Sequence, residues 1–320
     1  MGVGDYEHGF NPDMDVMELF KSRKCVRIAA PMVPCRERDG HHGPCASCVR
    51  GRASSSSALH ARCGSHVHVH VRGGIRCLHP HVACARAARA CLSLAWLHAQ
   101  VRFSKLPFRH VVRSYGTDLV YTPMIMADSF VASQKARDVE LTTNCYDKPV
   151  VVQFAANTAK QFGDAAELVA GKVAGVDLNC GCPQRWAIQE GVGCALLKKP
   201  ELVKDMVREA KERSGLHVSV KIRIAPDLSE TVQILKLAES VGVSWVTVHG
   251  RTASSKPSDP VDYEAIKLVR EHASVPLVAN GSINSLVDVD MVHHMGACVR
   301  VQVVISGAFI IFLLHNHFIT

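Results

Sequence analysis

Short runs of apolar, largely β-branched residues recur seven times along this chain with helical stretches between them, and that alternation admits few architectures. The runs are Val26–Met32, Asp118–Met124, Pro149–Ala156, Gly175–Cys180, His217–Ile224, Ser244–His249 and Pro276–Asn280. They are nearly continuously apolar, as strands covered on both faces of a parallel sheet are. The helical patterns are Ser104–Ser114, Ala159–Lys172, Pro200–Arg213, Ser229–Val241, Tyr263–His272 and Ser285–Met295. Pro200 suits a first helical turn, and Gly215 and Gly242 stand where helix ends are expected. An eighth strand is expected near Val299–Val304. The pattern predicts an α/β fold, a (β/α)8 TIM barrel incomplete at strand eight, with a doubly wound open sheet as the alternative.

The polar residues favour the barrel. They fall at strand ends: Gln153, Asn179 to Cys182, Lys221 and Arg223, His249 and Arg251, Asn280 and Gly281, with Met32 closing the first run. In a barrel these ends converge on one mouth, whereas an open sheet spreads them along an edge. Taken singly, the Gln and Asn residues read as loop hydrogen-bonders and His249 as a loop histidine. Lys221, flanked by Val220 and Ile222, points into a barrel layer where an unpaired ammonium is costly. It calls for an anionic or electron-rich partner, such as a flavin ring whose N1–C2 edge becomes negative on reduction. Cys182 follows a strand in Asn-Cys-Gly-Cys-Pro, and a thiol at a barrel mouth can serve as a general acid. Cys180 with Cys182 is a weak redox-pair signal.

Charge and cysteine are unevenly spread over the 320 residues. Between Pro34 and Val101 stand nine Arg and no Lys against one Glu and one Asp, a net +7 of the whole chain's +8. The same 68 residues hold seven of thirteen Cys and nine of eighteen His, in low-complexity runs such as His66-Val-His-Val-His-Val71. Three readings of this segment stay open. The first is a metal-binding insert through Cys45, Cys48, Cys63, His66, His68, Cys77, His79 and Cys84, although only one Cys-x-x-Cys pair is present and no metal site is predicted from it. The second is a basic arm touching RNA, and the third a disordered or foreign insert. The expected division is 1–33, N-terminal segment and first strand; 34–101, disordered insert; 102–297, barrel; and 298–320, a divergent apolar tail. No apolar run reaches the roughly 20 residues of a bilayer span. The N-terminus lacks the basic and apolar regions of a signal peptide, and Tyr6 spoils a myristoylation site. Cys25, Cys145, Cys180, Cys182, Cys194 and Cys298 read as reduced, intracellular thiols.

Seven motifs in order carry a resemblance. They are Ala30-Pro31-Met32-Val33; Arg102-Phe-Ser-Lys-Leu-Pro-Phe-Arg109; Tyr121-Thr-Pro-Met124; Val152-Gln-Phe-Ala-Ala-Asn157; Asp177-Leu-Asn-Cys-Gly-Cys-Pro-Gln-Arg-Trp186; Val220-Lys-Ile-Arg223 with Thr247-Val-His-Gly-Arg251; and Ala279-Asn-Gly281. On these the sequence resembles the tRNA-dihydrouridine synthases, most closely their fourth eukaryotic subtype, over about 11–33 and 102–297. The resemblance implies an FMN-dependent barrel that reduces uridines of the tRNA D-loop with NADPH or NADH, in the cytoplasm or nucleus, with no membrane and no obligatory protein partner. It implies that Pro31 and Met32 line the flavin, Gln153 meets its pyrimidine edge and Lys221 sits near N1. His249, Asn280 and Gly281 hold the ribityl phosphate region. Asn179, Arg223 and Arg251 meet substrate, hydride passes from flavin N5 to uracil C6, and Cys182 protonates C5.

Two departures stand beside it. The family runs from Ala-Pro-Met-Val directly into Arg-Phe/Tyr-Ser-Lys, whereas here 68 residues intervene. Closing that longer loop costs only roughly 2–3 kcal/mol, so the barrel is expected to form. After Ala297 the family continues into an Ala-Arg-Gly loop and a helical RNA-binding domain. Here an apolar stretch, Val301–Leu314, takes that place, read as filling the eighth-strand slot or as an aggregation-prone tail. The competing functional readings are a catalytically dead barrel remnant binding RNA weakly through the Arg-rich insert, and a flavin reductase of small molecules. The Cys-Gly-Cys-Pro-Gln-Arg-Trp motif argues against the second.

Overall fold

The structure, a computed structural model, describes residues 15–22, 28–29, 58–63, 67–72, 104–114, 117–283, 286–294 and 300–302. The chain divides into two compact units, 36–100 and the remainder. Within the first, Ala58–Cys63 pairs antiparallel with Val67–Arg72, from Ala58↔Arg72 to Cys63↔Val67. The sequence reading assigned no element there. The Val-His alternation has the period of two that a strand needs. The proposed ligand positions in this segment lie outside the described side chains.

The larger unit's sheet has nine parallel strands among the described residues: the two-residue strand Ile125–Met126 pairs with the third of the eight that form its path, β1 (Ile28–Ala29), β2 (Leu119–Tyr121), β3 (Val150–Ala155), β4 (Gly175–Cys180), β5 (His217–Arg223), β6 (Trp245–His249), β7 (Leu277–Asn280) and β8 (Arg300–Gln302). These eight neighbour one another strictly in chain order, and β1 and β8 come within 8 Å of each other, Cα to Cα. A doubly wound sheet reverses its order at a switch point, so the sequential order and the approach of the two ends describe a barrel. The eighth strand is shorter than expected but lies in register with the seventh, Val278↔Arg300 to Asn280↔Gln302. Among the described residues no helix is long and apolar enough to cross a membrane.

The helices are α1 (Val16–Ser22), α2 (Leu106–Ser114), α3 (Ala127–Ala132), α4 (Gln134–Glu140), α5 (Ala159–Val169), α6 (Arg185–Gln189), α7 (Pro200–Ser214), α8 (Leu228–Ser240), α9 (Tyr263–His272) and α10 (Leu286–His294). Thr158, Asp227 and Asp262 cap α5, α8 and α9 by accepting backbone N–H bonds. Pro200 opens α7, and Gly215 in the left-handed region closes it.

Helix α1 closes the foot of the barrel. Asp15 accepts from the N–H groups of Met17 and Glu18, and its other oxygen meets His217 Nε2 at 2.6 Å. Val16, Leu19 and Phe20 then bury themselves against Leu119, Tyr121, Val151, Trp245 and Val278. The Phe20 and Trp245 rings lie 5.3 Å apart, and Trp245 Nε1 donates to Tyr121 Oη at 2.9 Å. Helix α2, from the Arg-Phe-Ser-Lys motif, is pinned through Arg109 to Asp147, both fully buried.

Candidate active site

The polar side chains gather at the C-terminal ends of the strands. Strand pairing puts Asn179, Lys221 and Thr247 at one level and Arg223, His249 and Asn280 at the next. A surface cleft lined by Asp15, Lys148, Gly171 and His217 lies at the opposite end and shares none of them.

The floor of the mouth is a chain of buried hydrogen bonds. Ser219 Oγ donates to Asp177 Oδ1 at 2.6 Å, and Gln153 Nε2 donates to Asp177 Oδ2 at 2.7 Å. Asn179 Nδ2 donates to Gln153 Oε1 at 2.9 Å. Asn179 Oδ1 accepts from Gly181 N at 3.0 Å and Cys182 N at 2.9 Å. Burial raises the Asp177 carboxyl to about 6, against the lowering effect of its Ser219 and Gln153 bonds.

Cys182 is 2% exposed and held from both sides. Its carbonyl accepts from Cys194 N at 3.0 Å. Gly193, at φ +62°, passes so close that a β-carbon there lies 2.6 Å from the Cys182 oxygen. Burial pushes the Cys194 thiol up to about 11. Cys145, Cys180, Cys182 and Cys194 are thiols, and among the described residues no cluster of His, Cys, Asp or Glu is arranged to hold a metal ion.

Above this floor the charge is positive. Lys221 lies partly exposed in the mouth, and burial lowers its ammonium to about 8, with Arg223 adding to the effect. Burial, reinforced by Lys221, Arg223 and Arg251, depresses His249 to about 2, so its imidazole is neutral. Arg223 donates to the carbonyls of Gly181 at 2.8 Å and Thr252 at 2.9 Å, tying the Cys182 turn to the loop after β6. Arg251 donates to Asp259 O at 2.7 Å and to Ser282 Oγ at 2.6 Å, and its Nη1 lies 3.4 Å from His249 Nε2. It therefore stands on the His249–Gly281 side of the mouth.

That side has two further features. Asn280 is 2% exposed, and its Nδ2 is buried without an acceptor among the described residues. Gly281 has φ +121°, and its carbonyl accepts from Tyr263 Oη at 2.7 Å. Gln153, Asn179, Cys182, Lys221, Arg223, His249, Arg251, Asn280 and Gly281 are thus brought to one end of the barrel. Pro31 and Met32 lie outside the described residues. The sequence reading passed over Asp177, Ser219, Gly193 and Ser282. Asp177 alone carried a signal, a carboxylate at an otherwise apolar strand position two residues before Asn179.

Fold and mouth define a parallel (β/α)8 barrel with a cationic pocket around a buried cysteine. A family model described as Dihydrouridine synthase (Dus) matches residues 93–305, and the chain belongs to that family. It is 54% identical over 195 residues to the tRNA-dihydrouridine(20a/20b) synthase-like protein of Homo sapiens, whose name specifies NAD(P)+, covering 60% of this chain and 61% of that one. It is 47% identical over 188 residues to the tRNA-dihydrouridine(20a/20b) synthase of Schizosaccharomyces pombe, covering 58% and 57%. The chain thus spans about three-fifths of the length of these relatives. Among solved structures, a truncated 3-deoxy-D-arabino-heptulosonate 7-phosphate synthase from Thermotoga maritima is similar at a TM-score of 0.41 and 10% identity, covering 67% of this chain and 78% of that one.

Proposed function

We propose that this chain holds FMN in the barrel mouth and reduces a uridine of the tRNA D-loop to 5,6-dihydrouridine, with NADPH or NADH as electron donor. The observation that carries the reading is the Asn280 amide, a buried donor without an acceptor among the described residues, aligned in strand register with neutral His249 and Arg223. A buried donor of this kind calls for an acceptor, and a bound flavin would supply one. The Lys221 ammonium also fits the electron-rich edge of a flavin.

Gln153, Lys221, His249, Asn280 and Gly281, with Pro31 and Met32, would hold the cofactor. When bound, FMN supplies a hydride from N5 to C6 of the uracil. Lys221 places a positive charge where negative charge grows on reduction, an interaction strengthened by the loss of water around it. Cys182 holds a proton at Sγ and delivers it to uracil C5 as a general acid. Asn179, Arg223 and Arg251 orient the substrate. The base enters unstacked, because ring-to-ring contact is closed to a base inside a helix.

The test is nucleoside mass spectrometry of unmodified tRNA incubated with the flavin-loaded chain and NADPH. Parent protein is expected to form dihydrouridine, and Cys182→Ala to lower the rate by about 10²–10⁴-fold with FMN retention unchanged. No dihydrouridine from the parent, or equal rates from both, would overturn the reading.

A further inference from the structure

We propose that Asp177 is the positioning residue of this site: its carboxylate sets the orientation of two side-chain amides in series and thereby fixes the turn that carries Cys182. The inference rests on the proposed function for the role of Cys182, and on this chain's own hydrogen bonds for everything else.

An ionised carboxylate only accepts hydrogen bonds. Asp177 Oδ2 therefore requires the NH2 end of Gln153, which it receives at 2.7 Å. The Gln153 oxygen is then turned towards Asn179 and requires its NH2 end, received at 2.9 Å. That in turn leaves Asn179 Oδ1 facing the N–H groups of Gly181 and Cys182, at 3.0 and 2.9 Å. Rotating either amide by half a turn would set N–H against N–H. The polarity chosen at Asp177 is thus carried through Gln153 and Asn179 to the backbone of Cys182.

Burial makes the series exacting. Asp177 and Ser219 are 0% exposed, Gln153 is 2% and Asn179 is 5%, so water does not substitute for a lost partner. The backbone at Gln153 is held independently, since its N–H donates to Thr122 Oγ1 at 3.1 Å. Ser219 Oγ fills the second carboxylate oxygen at 2.6 Å and fixes the plane of the group.

Two substitutions separate positioning from bulk. Asp177→Asn keeps the shape and an acceptor oxygen, because the Ser219 hydroxyl can reverse and accept from the new NH2 group. Asp177→Leu keeps apolar volume but removes the acceptor, leaving Gln153, and then Asn179, without a set orientation. Gln153→Met breaks the next link while leaving the carboxylate in place.

The measurement is the rate of iodoacetamide alkylation of Cys182 in the reduced 320-residue chain, quantified by peptide mass spectrometry, with buried Cys180 on the adjoining strand as internal reference. Asp177→Leu is expected to raise the Cys182-to-Cys180 rate ratio about tenfold, the scale of one or two ordinary hydrogen bonds. Asp177→Asn should stay within about twofold of the parent on the same scale. Should Asp177→Leu fail to fold by circular dichroism, Gln153→Met is expected to give the same selective rise. An unchanged ratio in the Leu or Met variant, a joint rise of both cysteines, or an Asn variant that behaves like Leu would overturn the proposal. Neither flavin nor RNA enters the measurement, so a parent chain that binds no FMN overturns the functional reading and leaves this result standing.

Discussion

The backbone of Gly281 runs so close to His249 that a β-carbon built on it lies 2.9 Å from the imidazole Cδ2 and 3.1 Å from Nε2. Its φ of +121° is also one that side chains rarely adopt. Gly281→Ala is therefore expected to cost about 1–3 kcal/mol of stability and to weaken FMN binding at least about tenfold, because relief of the clash moves His249. Flavin fluorescence titration checks the affinity, and an unchanged dissociation constant contradicts the placement of the cofactor.

Arg109 and Asp147 form the most buried ion pair of the larger unit's described residues. Arg109 Nε and Nη2 approach Asp147 Oδ2 at 2.9 and 2.7 Å, and Nη2 also donates to Thr142 O at 2.7 Å. Asp147 also lies 3.7 Å from Arg113 Nε, so removing it strands two guanidinium groups away from water. Asp147→Ala should lower stability by about 3–5 kcal/mol, and the joint change Arg109→Met, Arg113→Met and Asp147→Leu by less than that single change. Urea denaturation of the three chains tests the ordering.

Lys221 makes a prediction of opposite sign. Burial lowers its pKa from 10.5 to about 8, so below pH 8 the folded chain bears the cost of a partly desolvated ammonium. Between 8 and 10.5 the folded state sheds its proton first, and stability rises with pH through that window. Lys221→Met should therefore stabilise the flavin-free chain at pH 7 by about 1–3 kcal/mol, an advantage that shrinks as pH rises towards 10. The same variant should lose FMN affinity. Thermal melts at several pH values, with and without FMN, read both effects.

Asp177 titrates in the other direction. Burial raises its pKa from 3.8 to about 6, with Ser219, Gln153 and Lys221 opposing the shift. Between those values the folded chain holds a proton that the unfolded chain has shed. The contribution of this group to stability is thus complete below pH 3.8 and lost as pH rises through 6. Lys221 keeps its charge across that window, and Tyr121 and Cys180, both pushed up by burial, stay neutral. Asp177→Asn should remove a slope worth about 2–3 kcal/mol between pH 4 and 7. Equal slopes in parent and variant would contradict the assignment.

The barrel was legible wherever local chemistry and burial agree. Gly175–Cys180 is buried at all six positions, as its run of small and apolar residues announces. Tyr263–His272 took its expected bounds because Asp262 caps it and Pro276 bars a longer helix. Asp118–Met124 read as one continuous strand, but Thr122 bonds Pro123 O and Gln153 N and interrupts the ladder after Tyr121, and pairing resumes only at Ile125–Met126. Helix α1 escaped notice because Val16, Leu19 and Phe20 find their burial against residues far along the chain, from Leu119 to Val278. The polar strand-end residues picked from the sequence do gather at one end of the barrel among the described residues. Asp177 and Ser219 were not given a role, because their partners lie 24 and 42 residues apart in sequence and meet only once the strands are in register.

The central claim is that this barrel holds a flavin above Cys182. The visible absorbance spectrum of the purified 320-residue chain, with released FMN quantified, tests it most directly. The account predicts a flavin spectrum and close to one FMN per chain, lost on Gly281→Ala. A folded, colourless protein that takes up no added FMN would contradict it.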